Sequence, residues 1–154
     1  KRLTILTDTE GNRLALVDCR WMLVDTDTER IRRAPGWETE GFQNEELPEE
    51  LPQLVHKSKD LQPAGEWVAN YSLCDLNGHI NNALYLDIAF DAIPLEVWRT
   101  RELKFFSIKY HREVPMGEKM AVFYAPVEQG WYVVGRREEH AAFECYLEFE
   151  APEA

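Results

Sequence analysis

The 154-residue chain has few cysteines, no long apolar run and no excess of basic residues. Its cysteines are Cys19, Cys74 and Cys145. An odd number without paired spacing favours buried free thiols in a reducing cytoplasm over a disulfide framework. No apolar run reaches the ~18 residues that a membrane span needs, and no signal-peptide pattern is recognised. The sequence therefore predicts a cytoplasmic protein without a membrane span.

The balance of charge excludes two classes of general partner. Aspartate and glutamate together number 28 against 17 lysines and arginines, which gives a formal net charge of −11 at pH 7. Such a charge favours solubility and argues against nucleic acid or an anionic membrane as a general partner. No metal site is predicted, because His56, His111 and His140 show no metal-ligand spacing. No cofactor is expected either.

One apolar segment follows the pattern of a buried helix. Ile80, Leu84, Ile88 and Ala92 recur every four residues, and most positions between them are also apolar. A helical pattern that is apolar almost all round predicts a helix buried in the core, and we expect its first turn near Ile80. Pro94 should end it.

The turn before this helix is rich in polar residues. Asp75, Asn77 and His79 follow a short strand-like segment and precede the helix. Because a helix N-terminus leaves N–H groups unpaired and carries partial positive charge, these residues stand beside a site for a developing oxyanion. Asp75 and Asn77 are also common capping residues, so a purely structural role is the competing interpretation.

Two motifs indicate a family. The pattern Asp-x-Asn-x-His-x-Asn-Asn from Asp75 to Asn82, followed by Tyr85, resembles the catalytic segment of acyl-acyl carrier protein thioesterases. About thirty residues downstream, Lys109 to Val114 resembles the family's strand that carries a catalytic Glu, here Glu113. The resemblance runs from near Leu3 to Phe149. It implies an α+β hot-dog fold, in which an antiparallel β-sheet wraps around one long central helix.

The resemblance also implies a division of the chain. The family's larger members have two hot-dog domains, each needing roughly 100 residues, and this chain is too short for both. We expect a β-hairpin left from an incomplete first hot dog at 1–33, an acidic linker at 34–62 and a complete hot-dog domain at 63–152. The linker assignment is based on six glutamates without a basic residue between Glu38 and Glu50. Trp37, Phe42 and Leu47 indicate that parts of the linker lie against the protein.

Alternating apolar residues predict the strands. The first hairpin should pair Leu3–Leu6 with Leu14–Asp25. The second strand is apolar on both faces, so we expect other parts of the protein to cover it on both sides. The later strands are predicted at Gly65–Leu73, Glu102–Val114, Glu118–Ala125, Trp131–Glu138 and Phe143–Phe149. A shift of apolar phase at Phe105-Phe106 predicts a bulge. The last strand alternates so cleanly that we expect it to be half-buried, with Glu144, Tyr146 and Glu148 on its polar face.

By resemblance, four side chains form the catalytic site: Asp75, Asn77, His79 and Glu113. Glu113 or Asp75 would act as general base to water, and the choice between them stays open. Asn77 and His79 would orient the water and the carboxylates. The helix N-terminus around Ile80 and Asn81 would hold the oxyanion.

Cys74 offers another chemistry, since it lies five residues before His79. The family usually has an apolar residue there, and free cysteine commonly fills cores, so core filling is favoured over a nucleophile. The family's Cys beside the catalytic Glu is Val114 here, which favours a water mechanism. Two charged positions of the family near the turn are Asn70 and Leu73 in this chain.

The resemblance implies acyl carrier protein as the partner that brings the substrate, and the release of free fatty acid. A basic strip could receive that acidic carrier, although a solvated face is an equal interpretation. The strip consists of Arg99, Arg101, Lys104, Lys109 and Arg112. A lone hot dog is expected to pair its sheet edge in a homodimer. The alternatives are an acyl-CoA thioesterase and a hot-dog module that binds acyl thioesters without cleaving them.

Overall fold

The computed structural model describes residues 2–25, 27–28, 30–32, 50–52 and 55–151. The chain divides into two compact units, Lys1–Pro52 and Gln53–Ala154. Trp37, Phe42 and Leu47, which the sequence placed against the protein, lie outside the described residues. Among the residues described, no helix is long and apolar enough to cross a membrane, and Cys19, Cys74 and Cys145 are all free thiols.

The first unit contains two antiparallel hairpins. Strands β1 (Arg2–Thr7) and β2 (Arg13–Cys19) pair around a turn in which Asp8 Oδ1 accepts the N–H groups of Glu10 and Asn12. The predicted hairpin is confirmed, but its second strand ends at Cys19. The residues beyond it form β3 (Leu23–Val24), which pairs with β4 (Ile31–Arg32). The cover expected on both faces of β2 is not found among the described residues, since each residue of β2 is exposed or only partly buried.

The second unit is a five-stranded antiparallel sheet with one central helix. Its strands are β5 (Gln62–Val68), β6 (Leu103–Tyr110), β7 (Lys119–Val127), β8 (Gly130–Arg137) and β9 (His140–Phe149). Their order across the sheet is β5-β7-β8-β9-β6. Helix α1 (Leu84–Asp91) packs on the sheet and ends before Pro94 as predicted, and the shorter α2 (Leu95–Thr100) follows that proline. This is the predicted α+β hot-dog fold.

The core lies between α1 and one face of the sheet. Tyr85, Ile88 and Ala89 of the helix are buried in one cluster with Phe143 and Cys145 of β9. The apolar periodicity therefore identified the buried helix correctly. Its start was wrong: α1 begins at Leu84 and Ile80 lies in an extended bridge with Cys74, four residues before the helix.

Two strand predictions also need correction. The strand predicted at Gly65–Leu73 is shifted, because β5 ends at Val68 and Tyr71–Leu73 forms a 3₁₀ turn. The last strand is not half-buried. Glu144 and Tyr146, on the face away from α1, are only 4% and 1% exposed. The reason is the segment before β5, where the His56 ring lies 4.7 Å from the Tyr146 ring. The irregularity predicted at Phe105-Phe106 is present in β6, but it lies slightly earlier, as a register shift between Leu103 and Phe105.

Candidate functional site

A five-residue turn holds the first half of the site. The Asp75 N–H donates to His79 O at 3.0 Å, and the Gly78 N–H donates to Asp75 O at the same distance. Asp75 Oδ1 accepts the Asn77 N–H at 2.8 Å. Gly78 has φ of +78°, a left-handed conformation that glycine adopts without steric cost. The turn is therefore closed by its own hydrogen bonds, and it directs His79 inward, where its side chain is 17% exposed.

The second half of the site comes from the chain beyond β6. The N–H groups of His111 and Arg112 both donate to Ala142 O, at 2.8 and 3.2 Å, where the chain leaves the sheet. Glu113 follows, with its side chain 74% exposed. Val114 is then fully buried, and its carbonyl accepts the Ile80 N–H at 3.0 Å. This segment therefore runs directly beside the turn.

The two halves meet at His79. Its Nε2 lies 3.4 Å from Glu113 Oε1, and its Nδ1 lies 4.0 Å from Asp75 Oδ1. The same Nδ1 lies 3.3 Å from Ile80 O. Asn77 Nδ2 is 3.4 Å from Asp75 Oδ2, on the exposed side of the turn. The structure thus brings together all four side chains predicted to be catalytic, with the imidazole between the two carboxylates.

Tyr85 supports this arrangement in a way that sequence reasoning missed. Its hydroxyl accepts the Val114 N–H at 3.2 Å, so a buried helical side chain fixes the residue next to Glu113. Burial raises the pKa of Tyr85, although the hydrogen bond from Val114 partly opposes it. Tyr110 packs edge-on against the Tyr85 ring at 5.8 Å and donates to Asn82 O. The sequence did contain a signal for this role. Tyr85 occupies a buried position of the helical pattern, and a buried tyrosine hydroxyl needs a hydrogen-bond partner.

The predicted oxyanion site at Ile80 and Asn81 is wrong. The Ile80 N–H donates to Val114 O and the Asn81 N–H donates to Leu73 O at 2.9 Å, so neither amide is available to a ligand. The helix begins later, and Asn81 Oδ1 caps the turn before it by accepting the Ala83 N–H at 3.0 Å. The prediction failed because the two amides pair with residues from other parts of the chain.

Cys74 is partly buried and packs against the core. Cys74 comes one residue before the polar turn, and its Sγ lies 3.7 Å from Ala69 O. This is the core-filling position that the sequence favoured.

The basic strip is divided by the length of β6. Eight residues of strand span about 26 Å, so Lys109 and Arg112 lie at the Glu113 end and Arg99, Arg101 and Lys104 at the other. Lys104 forms an ion pair with Glu148 at 3.3 Å, and Arg99 contacts Glu96 at 3.8 Å. Of the strip, Lys109 and Arg112 are therefore the residues nearest in the chain to Glu113.

A cleft of about 620 Å³ lies at the far end of α1 from His79. Its wall is mostly apolar and includes Phe90, Ile93, Trp98 and Tyr124. In the described part of the chain, no group of three His, Cys, Asp or Glu side chains is arranged to hold a metal ion.

Comparison with known proteins identifies relatives of the chain. Residues 57–151 match the family model described as acyl-ACP thioesterase C-terminal domain. The chain is 29% identical over 119 residues to oleoyl-acyl carrier protein thioesterase 2, chloroplastic, of Arabidopsis thaliana, a match that covers 67% of this chain and 31% of that protein. Thioesterase 1 of the same plant is 27% identical over 110 residues, covering 61% and 29%. The chain therefore spans about a third of the length of these curated relatives.

Solved structures share the fold. A putative oleoyl thioesterase from Lactobacillus plantarum superposes with a TM-score of 0.82 at 19% identity, covering 97% of this chain and 62% of that one. An acyl-ACP thioesterase from Bacteroides thetaiotaomicron gives 0.74 at 21% identity, with coverage of 95% and 60%. The 12:0-ACP thioesterase from Umbellularia californica gives 0.65 at 17% identity, with coverage of 84% and 52%. On the match of residues 57–151, the chain belongs to the acyl-ACP thioesterase family, through its C-terminal domain.

Proposed function

We propose that this protein hydrolyses fatty acyl thioesters carried by acyl carrier protein and releases free fatty acid. The observation that carries the proposal is His79 held between Asp75 and Glu113, at 4.0 and 3.4 Å, beside a buried helix. Membership of the family and the names of the Arabidopsis relatives support the substrate class.

In the proposed reaction Glu113 is the general base. Its side chain is 74% exposed and open to water, whereas Asp75 is 28% exposed and already accepts the Asn77 N–H. Glu113 takes a proton from water as the water oxygen attacks the thioester carbonyl carbon. The C–S bond then breaks, and the leaving thiolate, with a free pKa near 8.5, needs little acid assistance. His79 orients Glu113 through their contact.

The oxyanion needs a donor other than Ile80 and Asn81. The side-chain amide of Asn77 is exposed beside Asp75 and can donate two hydrogen bonds. In the proposed reaction this amide donates a hydrogen bond to the carbonyl oxygen as negative charge develops on that oxygen. Asp75 then positions that amide, since both its oxygens face Asn77.

Acyl carrier protein would approach at the Glu113 end of β6. Lys109 and Arg112 are exposed there and carry the positive charge that an acidic carrier needs. Arg99, Arg101 and Lys104 would form a second, more distant contact. A homodimer remains part of the proposal, because β5 and β6 are edges of the five-stranded sheet and an edge strand can pair with another chain. Sedimentation of the purified chain tests the dimer.

The experiment is thiol release from one acyl chain presented on acyl carrier protein or on CoA. Turnover that favours the protein carrier supports the proposal, and turnover that favours CoA supports the acyl-CoA thioesterase. Tight binding of an intact thioester without hydrolysis would leave only a binding module. Glu113→Ala and Asp75→Ala should each abolish turnover, while the exposed turn residue Glu139 provides the control Glu139→Gln. Unchanged turnover in both site variants would reject the site.

A further inference from the structure

A second polar cluster lies on the face of the sheet away from α1. Glu144 of β9 is 4% exposed and is the buried charged residue of the described chain. Its carboxylate accepts from Tyr132 OH at 2.5 Å and contacts His111 Nε2 at 2.8 Å. Lys57 Nζ lies 2.7 and 2.9 Å from its two oxygens. Both oxygens are therefore fully engaged.

The cluster keeps the carboxylate charged. Burial by itself raises the pKa of Glu144, but hydrogen bonds from Lys57, Tyr132 and His111 outweigh it and lower the pKa to about 2. The same burial and the bond to Glu144 raise the pKa of Tyr132. Such a buried and fully bonded group holds its partners in defined positions, and removing one partner leaves a costly unpaired charge.

The network reaches the candidate active site through the main chain. His111 is two residues before Glu113 and comes directly after β6. Its side chain is tied to Glu144, and its N–H donates to Ala142 O at 2.8 Å. On the other side of Glu113, Val114 is tied to Tyr85 and Ile80. Glu113 thus lies in a short segment that is hydrogen-bonded on both sides of it: through His111 to the face of the sheet away from α1, and through Val114 to α1 itself.

We propose that Glu144 is a positioning residue for Glu113, acting through His111. The anchor limits how far the 111–113 segment can move, and so keeps the exposed Glu113 carboxylate within reach of His79. Lys57, which precedes β5, ties the chain entering the domain to the same carboxylate. The assignment rests on the role of Glu113 in the proposed hydrolysis, but the positioning itself can be observed without turnover.

The kinetic test compares two substitutions of His111. His111→Ala removes the donor to Glu144, and we expect kcat to fall about tenfold with KM within about twofold, since loss of positioning affects the chemical step. His111→Gln keeps an N–H donor and should recover most of kcat. Glu66→Gln on β5, which breaks the exposed ion pair of Glu66 with Lys119 of β7, is the control with unchanged kcat. The proposal is overturned if the His111→Ala variant folds and keeps the wild-type kcat. It is also overturned if kcat falls equally in His111→Ala and His111→Gln.

The second readout does not depend on activity. The side-chain ¹⁵N resonances of His79, measured at one fixed pH, report its contact with Glu113, and Glu113→Gln defines the signal without that carboxylate. We expect His111→Ala to shift these resonances toward the Glu113→Gln position and His111→Gln to leave them near wild type. Unshifted resonances in His111→Ala would overturn the positioning role. If the wild type hydrolyses no thioester but the shifts follow this pattern, the proposed function fails and the positioning role stands.

Discussion

His79 Nε2 and Glu113 Oε1 lie 3.4 Å apart because the backbone around each residue is hydrogen-bonded to the other segment. Ile80 donates to Val114 O at 3.0 Å, and Met116 donates to Gly78 O at 2.8 Å. The contact between the side chains is thus set by main-chain pairing that brackets it. A substitution at either side chain should therefore change chemistry more than fold.

Glu113→Gln should lower kcat by a factor of about 10² to 10⁴, the usual contribution of a general base. The substitution keeps the size of the side chain, and the residue is largely exposed, so the thermal midpoint should change little. Steady-state kinetics with an acyl-carrier thioester checks this. A kcat equal to that of Glu139→Gln would contradict the assignment.

Two substitutions of Asp75 separate its structural and catalytic roles. Asp75→Asn keeps an oxygen that accepts the Asn77 N–H, so the free energy of unfolding should hold while kcat falls about tenfold with the loss of charge. Asp75→Ala removes the acceptor as well and should cost about 1 kcal/mol more in stability. Urea unfolding and kinetics measure the two effects. Full activity in Asp75→Asn would leave Asp75 only the structural role of closing the turn.

Gly78→Ala tests the conformation of the turn. An added Cβ would meet no atom within 4 Å, so any penalty comes from the backbone at φ +78°. We expect a loss of about 1 to 2 kcal/mol in the free energy of unfolding. Asn tolerates this region better than Ala, so Gly78→Asn should lose less. Equal stability of the Ala variant and the wild type would show that the turn does not require the left-handed conformation.

Glu144 should make stability depend on pH at the acidic end. Its pKa is about 2 in the folded protein against an ordinary value of 4.5, so the folded state binds the proton less tightly. Its contribution to stability is present above pH 4.5 and is lost as the pH falls toward 2. Glu144→Gln removes the titrating group that Lys57, His111 and Tyr132 face and that lies opposite Lys109. Thermal midpoints should therefore fall less steeply with acid in the variant than in Glu66→Gln.

The carrier proposal predicts a dependence on salt. Arg112→Gln and Lys109→Gln should raise KM for an acyl-carrier substrate several-fold at low ionic strength, and added salt should reduce the difference. An uncharged acyl-pantetheine thioester is the matched substrate, for which KM should not change. Arg99→Gln should have a smaller effect, because Arg99 lies at the other end of β6. Equal effects on both substrates would assign these residues a role other than carrier binding.

The local sequence determined the elements that depend on short-range physics. The apolar repeat around Leu84 and Ile88 made a helix that has to be buried, Pro94 ended it, and alternation marked most of the strands. Asp75, Asn77 and Gly78 determined a closed polar turn, because its hydrogen bonds form within five residues. These features need no knowledge of distant partners.

Only the tertiary structure decided where α1 begins and what surrounds Glu144. Ile80 lies outside the helix because it is held in an extended bridge with Cys74 while its N–H pairs with Val114, a partner far along the chain. Glu144 is buried on a face that the alternating pattern marked as polar, because Lys57 and His111 reach it from other segments. A local pattern records the preference of each residue, but hydrogen bonds and burial between distant segments depend on how the sheet brings those segments together.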